Sequence, residues 1–131
     1  MPAQHNIDNN RRLITTLWIG GAVDSELIEA LTKYQQDIKS QPDYFSYNEI
    51  VDFGQASSFK LSTQGIMTLA HLATNTDSLG VKTKLAIVVN NSLAYGLGRM
   101  YVTYRSLVPR GIKDVHVFMS YHDALEWIEA G

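Results

Sequence analysis

The chain has 131 residues, of which 45% are hydrophobic and 18% charged, with a net charge of -2 and a pI near 6.0. These values fit one globular core rather than a disordered or membrane-embedded chain, and they leave no overall basic field for a phosphate backbone, so nucleic acid is not an expected partner. The absence of cysteine excludes a disulfide framework, a cysteine nucleophile and thiolate metal ligands together.

Met1 to Arg12 is polar and holds no apolar run of the signal-peptide kind. No stretch reaches the roughly 18 apolar residues of a membrane span, and the expectation is a cytoplasmic protein without an integral membrane segment. Gln4 to Ile7 reads as a short edge strand, the Asp8-Asn9-Asn10 cluster as a tight turn, and Arg12 to Ile19, rich in β-branched and aromatic residues, as a full strand. Gly20-Gly21 is expected to end it. A first helix follows, capped by Asp24 or Ser25, with Leu27, Ile28, Leu31, Tyr34 and Ile38 on one stripe. Gln41-Pro42-Asp43 stops it, because the residue before proline is pushed out of helical geometry.

Asn48 to Phe53 reads as the next strand, ended by Gly54, with Ser57 to Leu61 as a loop. Ser62 caps a second helix that packs through Ile66, Leu69, Ala70, Leu72 and Ala73 and closes at Asp77-Ser78-Leu79-Gly80. Lys84 to Asn90 is continuously apolar in its middle, the mark of a parallel strand covered on both faces. Ser92 is expected to cap a third helix reaching about Leu107, and Pro109-Arg110-Gly111 punctuates. Asp114 to Met119 is the last strand, and Ser120, with Asp123 at the capping-box position, opens a final helix through Ile128.

Strands alternating with helices predict an α/β fold: a mostly parallel sheet of four to five strands, an N-terminal β-hairpin and four helices. One domain spans residues 1–131, with 1–11 as a short edge strand and turn.

Several segments carry a resemblance. Ile50-Val51-Asp52-Phe53 matches a strand with an apolar-Asp-apolar ending. Ala86 to Asn90, followed by Leu93-Ala94-Tyr95-Gly96-Leu97-Gly98-Arg99-Met100-Tyr101, matches a strand and a Tyr-Gly-x-x-Arg-Met helix start. Val117-Phe118 with Asp123 to Ile128 matches a closing strand and helix. In this order they make the chain similar to the STAS-like group, named for sulfate transporters and the anti-sigma-factor antagonists of sporulation, and more narrowly to stand-alone bacterial domains described as STAS or SEC14-like. The resemblance implies a parallel sheet with helices packed in a superhelical run. It also implies a regulatory protein-interaction module or, from its SEC14-like side, a small-molecule or lipid carrier.

In the antagonists the start of the second helix carries a phosphorylatable serine within an Asp-Ser-Ser-Gly motif. The comparable stretch here is Leu61-Ser62-Thr63-Gln64-Gly65, offset by one residue and without the aspartate. Ser62 or Thr63 is therefore a candidate phosphoacceptor, although an N-cap hydroxyl fully accounts for Ser62 and is the favoured reading. Asn90 to Arg99 lies at the carboxyl end of the central strand, where open α/β sheets place ligand crevices. Tyr95 and Arg99 share a helix face that could frame a small anionic or polar ligand, or simply stack on each other. Gly96 and Gly98 lack the third glycine and the turn position of a dinucleotide fingerprint, and their cost within a helix is met most simply by close packing.

Asp52, expected on a covered strand, must accept hydrogen bonds from the following loop or belong to a pocket. His5, His71, His116 and His122 form no metal-binding pattern, and Ser62, His71 and Asp52 make a triad only on paper, with no nucleophile elbow around the serine. No metal, cofactor or catalytic residue is assigned. The candidates for binding a partner or ligand are Asp52, Ser62, Thr63, Asn90, Tyr95 and Arg99. Tyr101, Tyr104, Arg105 and Trp127 belong to the core or to a homodimer surface.

Overall fold

The computed structural model of the chain describes residues 2–77, 81–107 and 113–130. β1 (Ala3–Asp8) turns back into β2 (Leu13–Val23), pairing antiparallel with Ala3 opposite Trp18 and Asp8 opposite Leu13. Asp8 builds the turn, since its Oδ1 accepts from the Asn10 and Arg11 amides at 3.0 Å each. Arg12 then returns the chain at φ 53°.

The remaining order is α1 (Asp24–Lys39), a 3₁₀ turn over Pro42–Ser46, β3 (Asn48–Lys60), α2 (Thr63–Ala73), β4 (Lys84–Val88), α3 (Ser92–Ser106), β5 (Asp114–Phe118) and α4 (Tyr121–Glu129). The five strands lie in the order β1-β2-β3-β4-β5, with β2 to β5 mutually parallel. Each crossover advances one strand in the same direction, and right-handed crossovers of that kind leave their helices on one face. α1, α2 and α3 accordingly cover one face, while α4 covers the other over β3, β4 and β5.

β4 shows why its sequence is continuously apolar. Leu85 and Ile87 pack toward α3 with Ala94 and Tyr101, and Ala86 and Val88 pack toward α4 with Ala124 and Ile128. A strand buried on both faces has no solvent side to give to polar residues.

Several expected boundaries are corrected. β2 continues through Gly20-Gly21 to Val23, with Gly20 at φ +95° beside a register shift against β3; a side chain there would be strained. β3 does not end at Gly54, and Ser57 to Lys60 is strand rather than loop. Two register shifts against β2 interrupt the strict alternation past the glycine, yet the strand stays packed: Ala56 is buried with Trp18 and Ala22, and Phe59 lies edge-on to Phe53 at 5.7 Å. α2 ends at Ala73 and passes into a 3₁₀ turn over Thr74–Thr76; the Gly80 expected to close it lies outside the described residues, as does Pro109-Arg110-Gly111. Val23 is the N-cap of α1 without a side-chain bond, so Asp24 and Ser25 do not cap it. Asn91, not Ser92, caps α3, its Oδ1 accepting from the Ala94 amide at 2.8 Å. Ser120 caps α4 as expected, accepting from the Asp123 amide at 3.3 Å.

Candidate functional site

The carboxyl ends of the parallel strands carry the loops that begin α2, α3 and α4. Ser62 stands at the start of α2 with its Oγ accepting from the Gly65 amide at 2.9 Å, the N-cap bond its sequence position predicts. Its hydroxyl proton is directed elsewhere. Ser62 Oγ donates to Asp24 Oδ2 at 2.5 Å, and the Ser62 amide donates to Asp24 Oδ1 at 3.1 Å. Asp24 thus bonds the start of α2 to the start of α1, where both helix N-termini favour its negative charge. Gly65 makes the close approach feasible, because a Cβ there would collide with the Asp24 carboxylate. Thr63, the next candidate, is exposed in the first turn of α2.

Asn90 secures the extension of β3. Beyond Asp52 opposite Val88, β4 no longer pairs with β3, and the Asn90 Nδ2 donates to the carbonyls of Gly54 (3.1 Å) and Ala56 (3.3 Å) along that unpaired edge. Asn90 also accepts from the Asn91 Nδ2 at 2.7 Å, which holds the α3 cap in place. Asp52 Oδ1 accepts from the Gly54 amide at 2.7 Å, two residues on within β3, where the sequence predicts a loop amide. Asp52 alternates with Ile50 on the α4 side of the sheet, whereas Ser62 begins a helix on the opposite side. These two candidates are therefore not brought together.

Tyr95 is exposed near the start of α3. Arg99, one turn on, lines a shallow groove between α3 and β5 with Asp114 and His116 and has no ion-pair partner among the described residues. Gly98 is explained by packing, since a Cβ there would stand 3.0 Å from Val117 Cγ2, while a Cβ on Gly96 would meet nothing within 4 Å among the described residues. His71 follows Ser62 by two and a half turns of the same helix, about 13 Å along its axis, and the hydroxyl already has Asp24 as its partner. The triad drawn on paper is not assembled.

A second constellation lies deeper, at the amino-terminal half of the sheet beneath α1 to α3. Glu49 on β3 meets Lys113 Nζ at 2.6 Å and the Tyr34 hydroxyl at 2.9 Å, and Lys113 also donates to Thr83 Oγ1 at 2.8 Å. Burial alone would push Glu49 upward, but Lys113 and the two hydrogen bonds hold its pKa below the usual carboxylate range. The Tyr34 phenol is pushed far up by burial and then by the Glu49 charge. Beside them Arg105 pairs with Asp77 at 2.6 Å and donates to the Tyr101 hydroxyl at 2.8 Å. Both charged side chains are almost fully buried, at 4% and 2% exposure. Burial acts to lower the Arg105 pKa, but Tyr101 and Asp77 outweigh it and raise it; burial is the main force raising that of Tyr101. Among the described residues Arg105 Nε and Asp77 Oδ2 have no hydrogen-bond partner, and a polar atom left so costs about 1–3 kcal/mol.

These groups line a chamber of about 120 Å³, and an apolar chamber of about 150 Å³ adjoins it toward the carboxyl end. From sequence, Tyr101 and Arg105 of this constellation are candidates for the core or a homodimer surface, Tyr34 belongs to the apolar stripe of α1 and Asp77 to the close of the second helix, none of them for its place in a polar network. Glu49, Asp77 and Lys113 give no sign of burial, because charged residues at strand and helix ends ordinarily face water. Their burial follows from tertiary packing. Asp24 reads from sequence as a helix cap, and a carboxylate at a first turn is too common to reveal a bond across 38 residues.

Among the described residues, no helix is long and apolar enough to cross a membrane, and no group of three or more side chains is placed to hold a metal ion. No protein-family model matches the chain, and no curated protein is significantly similar to it. Solved structures do match. An uncharacterised protein of the DUF3478 family from Shewanella loihica PV-4, described as having a SpoIIAA-like fold, superposes with a TM-score of 0.57 at 11% identity, covering 96% of this chain and 91% of that one. The anti-sigma factor antagonist SpoIIAA in its unphosphorylated form gives a TM-score of 0.51 at 11% identity, covering 98% of this chain and 99% of that one. The fold is thus SpoIIAA-like, the STAS-like architecture that the ordered motifs imply.

Proposed function

We propose that the protein is a cytoplasmic regulatory module that binds another protein through the carboxyl end of its sheet. The observation that carries this reading is the apolar surface at that end. Leu93 (66% exposed) and Tyr95 open α3, Met119 (52% exposed) and Tyr121 follow β5, and Met67 stands in α2. Single exposed apolar residues mean little, but these follow the strand ends where open α/β sheets place their binding loops. Ser62 opens α2 at the same end and supplies a means of control. A phosphate on it would bring about -1.5 to -2 charges against Asp24 and break the bond between α1 and α2. SpoIIAA, an antagonist of an anti-sigma factor with this fold, supports both a protein partner and a modification-sensitive state.

The test is affinity capture from native-host lysate with wild-type protein, Leu93→Asp and Ser62→Asp, each verified as folded by circular dichroism. A partner captured by wild type is expected to be lost with Leu93→Asp and reduced with Ser62→Asp. Equal capture by all of them, or recovery of nothing but the chain itself, would overturn the reading.

A further inference from the structure

We propose that the two adjoining chambers beneath α1 to α3 form a binding site for a compact neutral molecule with a ring-sized apolar body and one hydroxyl or amide head. The body is specified by the outer chamber. Its walls include Phe53, Phe59, Ile66, Leu69 and Leu97, and its volume is about 150 Å³. An apolar space of roughly that size has room for a benzene-sized ring. Leu31, Val51, Leu85 and Tyr101 line both chambers, so an occupant of the outer one stands against the inner one.

The head is specified by the inner chamber. Asp77 and Arg105 line it, and among the described residues each carries a polar atom without a partner, an acceptor on Asp77 Oδ2 and a donor on Arg105 Nε, both sealed from solvent. Tyr101 accepts from Arg105 at 2.8 Å and retains its own hydroxyl proton to donate. The charges are already matched, Arg105 by Asp77 and Lys113 by Glu49. A charged head would find no free counter-ion among the described residues, whereas a hydroxyl or amide accepts from the Tyr101 hydroxyl without needing one. Size sets the last limit. The chambers together stay below the roughly 300 Å³ at which drug-sized pockets begin, which suits one ring and its substituent better than a long acyl chain.

Methyl-labelled protein titrated with benzyl alcohol, benzamide, toluene, benzoate and decanoate tests this by NMR. Benzyl alcohol and benzamide are expected to shift the methyl signals of Leu31, Val51 and Leu85 saturably. Toluene, lacking the head, is expected to bind about fivefold more weakly or worse. Tyr101→Phe should weaken benzyl alcohol and leave toluene unchanged, and Leu97→Trp, which fills the outer chamber, should abolish both. Wild-type titrations decide the matter even if a variant fails to fold. No saturable shift up to about 10 mM, equal affinity for toluene and benzyl alcohol, or tighter binding of benzoate or decanoate would each overturn the assignment.

Discussion

Replacing Ser62 by aspartate isolates the bond between α1 and α2. Aspartate is as good an N-cap as serine and suits a helix N-terminus, so at this position it should by itself be nearly neutral. The structure reverses that expectation, because the Ser62 hydroxyl donates to Asp24 at 2.5 Å and an aspartate would set a second carboxylate there. Like charges at ~4 Å repel by about 1 kcal/mol in water and about 4 kcal/mol at an effective dielectric constant of 20. The pair is solvent-exposed, which selects the lower end, and a loss of about 1–2 kcal/mol is expected. Asp24→Asn removes the opposing charge, so in that background Ser62→Asp should cost little. Urea unfolding of the four proteins gives the coupling energy, expected at about 1 kcal/mol or more and falling with added salt. A coupling within about 0.3 kcal/mol of zero would refute the reasoning.

Three further outcomes are expected. Gly96→Ala should stabilise by about 0.5–1 kcal/mol, since the new methyl meets nothing among the described residues, whereas Gly65→Ala should destabilise despite the same helical gain; thermal denaturation reads both signs. Arg105→Leu should cost about 3–5 kcal/mol by stranding Asp77, and Arg105→Leu with Asp77→Leu should recover much of that loss in chemical denaturation. The third outcome concerns pH. The His5 ring lies 4.9 Å from Tyr34 with Nδ1 2.7 Å from Thr16 Oγ1, and lost hydration lowers its pKa from 6.5 more than Asp37 and Glu49 raise it. A depressed folded-state pKa means that the unfolded chain binds the proton first, so stability is present above about 6.5 and is lost as pH falls through the folded value. His5→Gln should flatten that slope, leaving the second loss at lower pH where Glu49, also depressed, takes up its proton.

The fold was largely legible because its signals are local. The two-sided apolar run of β4, the Asp/Asn turn after β1 and the Ser62 and Ser120 caps each state their structure within a few residues. Strand ends were read less well. Gly20 and Gly54 look like terminators, yet β2 and β3 continue past them because Ala22, Ala56 and Phe59 keep the buried face occupied. The candidate site was legible as a region and not as a constellation. Ser62 and Asn90 have specific bonds there, Asp52 faces the other side of the sheet, and Arg99 lies in a separate groove. The buried pairs Glu49–Lys113 and Arg105–Asp77 were out of reach, because partners 64 and 28 residues apart share no local pattern.

Photo-crosslinking from Tyr95 tests the proposed interaction surface most directly. A photoreactive residue replaces Tyr95 in living cells of the native host, with Thr32 on the exposed side of α1 as the control position. The proposal predicts a discrete adduct with another protein from position 95, absent from position 32 and diminished by Ser62→Asp. Adducts of equal yield from both positions, or none from position 95, would contradict it.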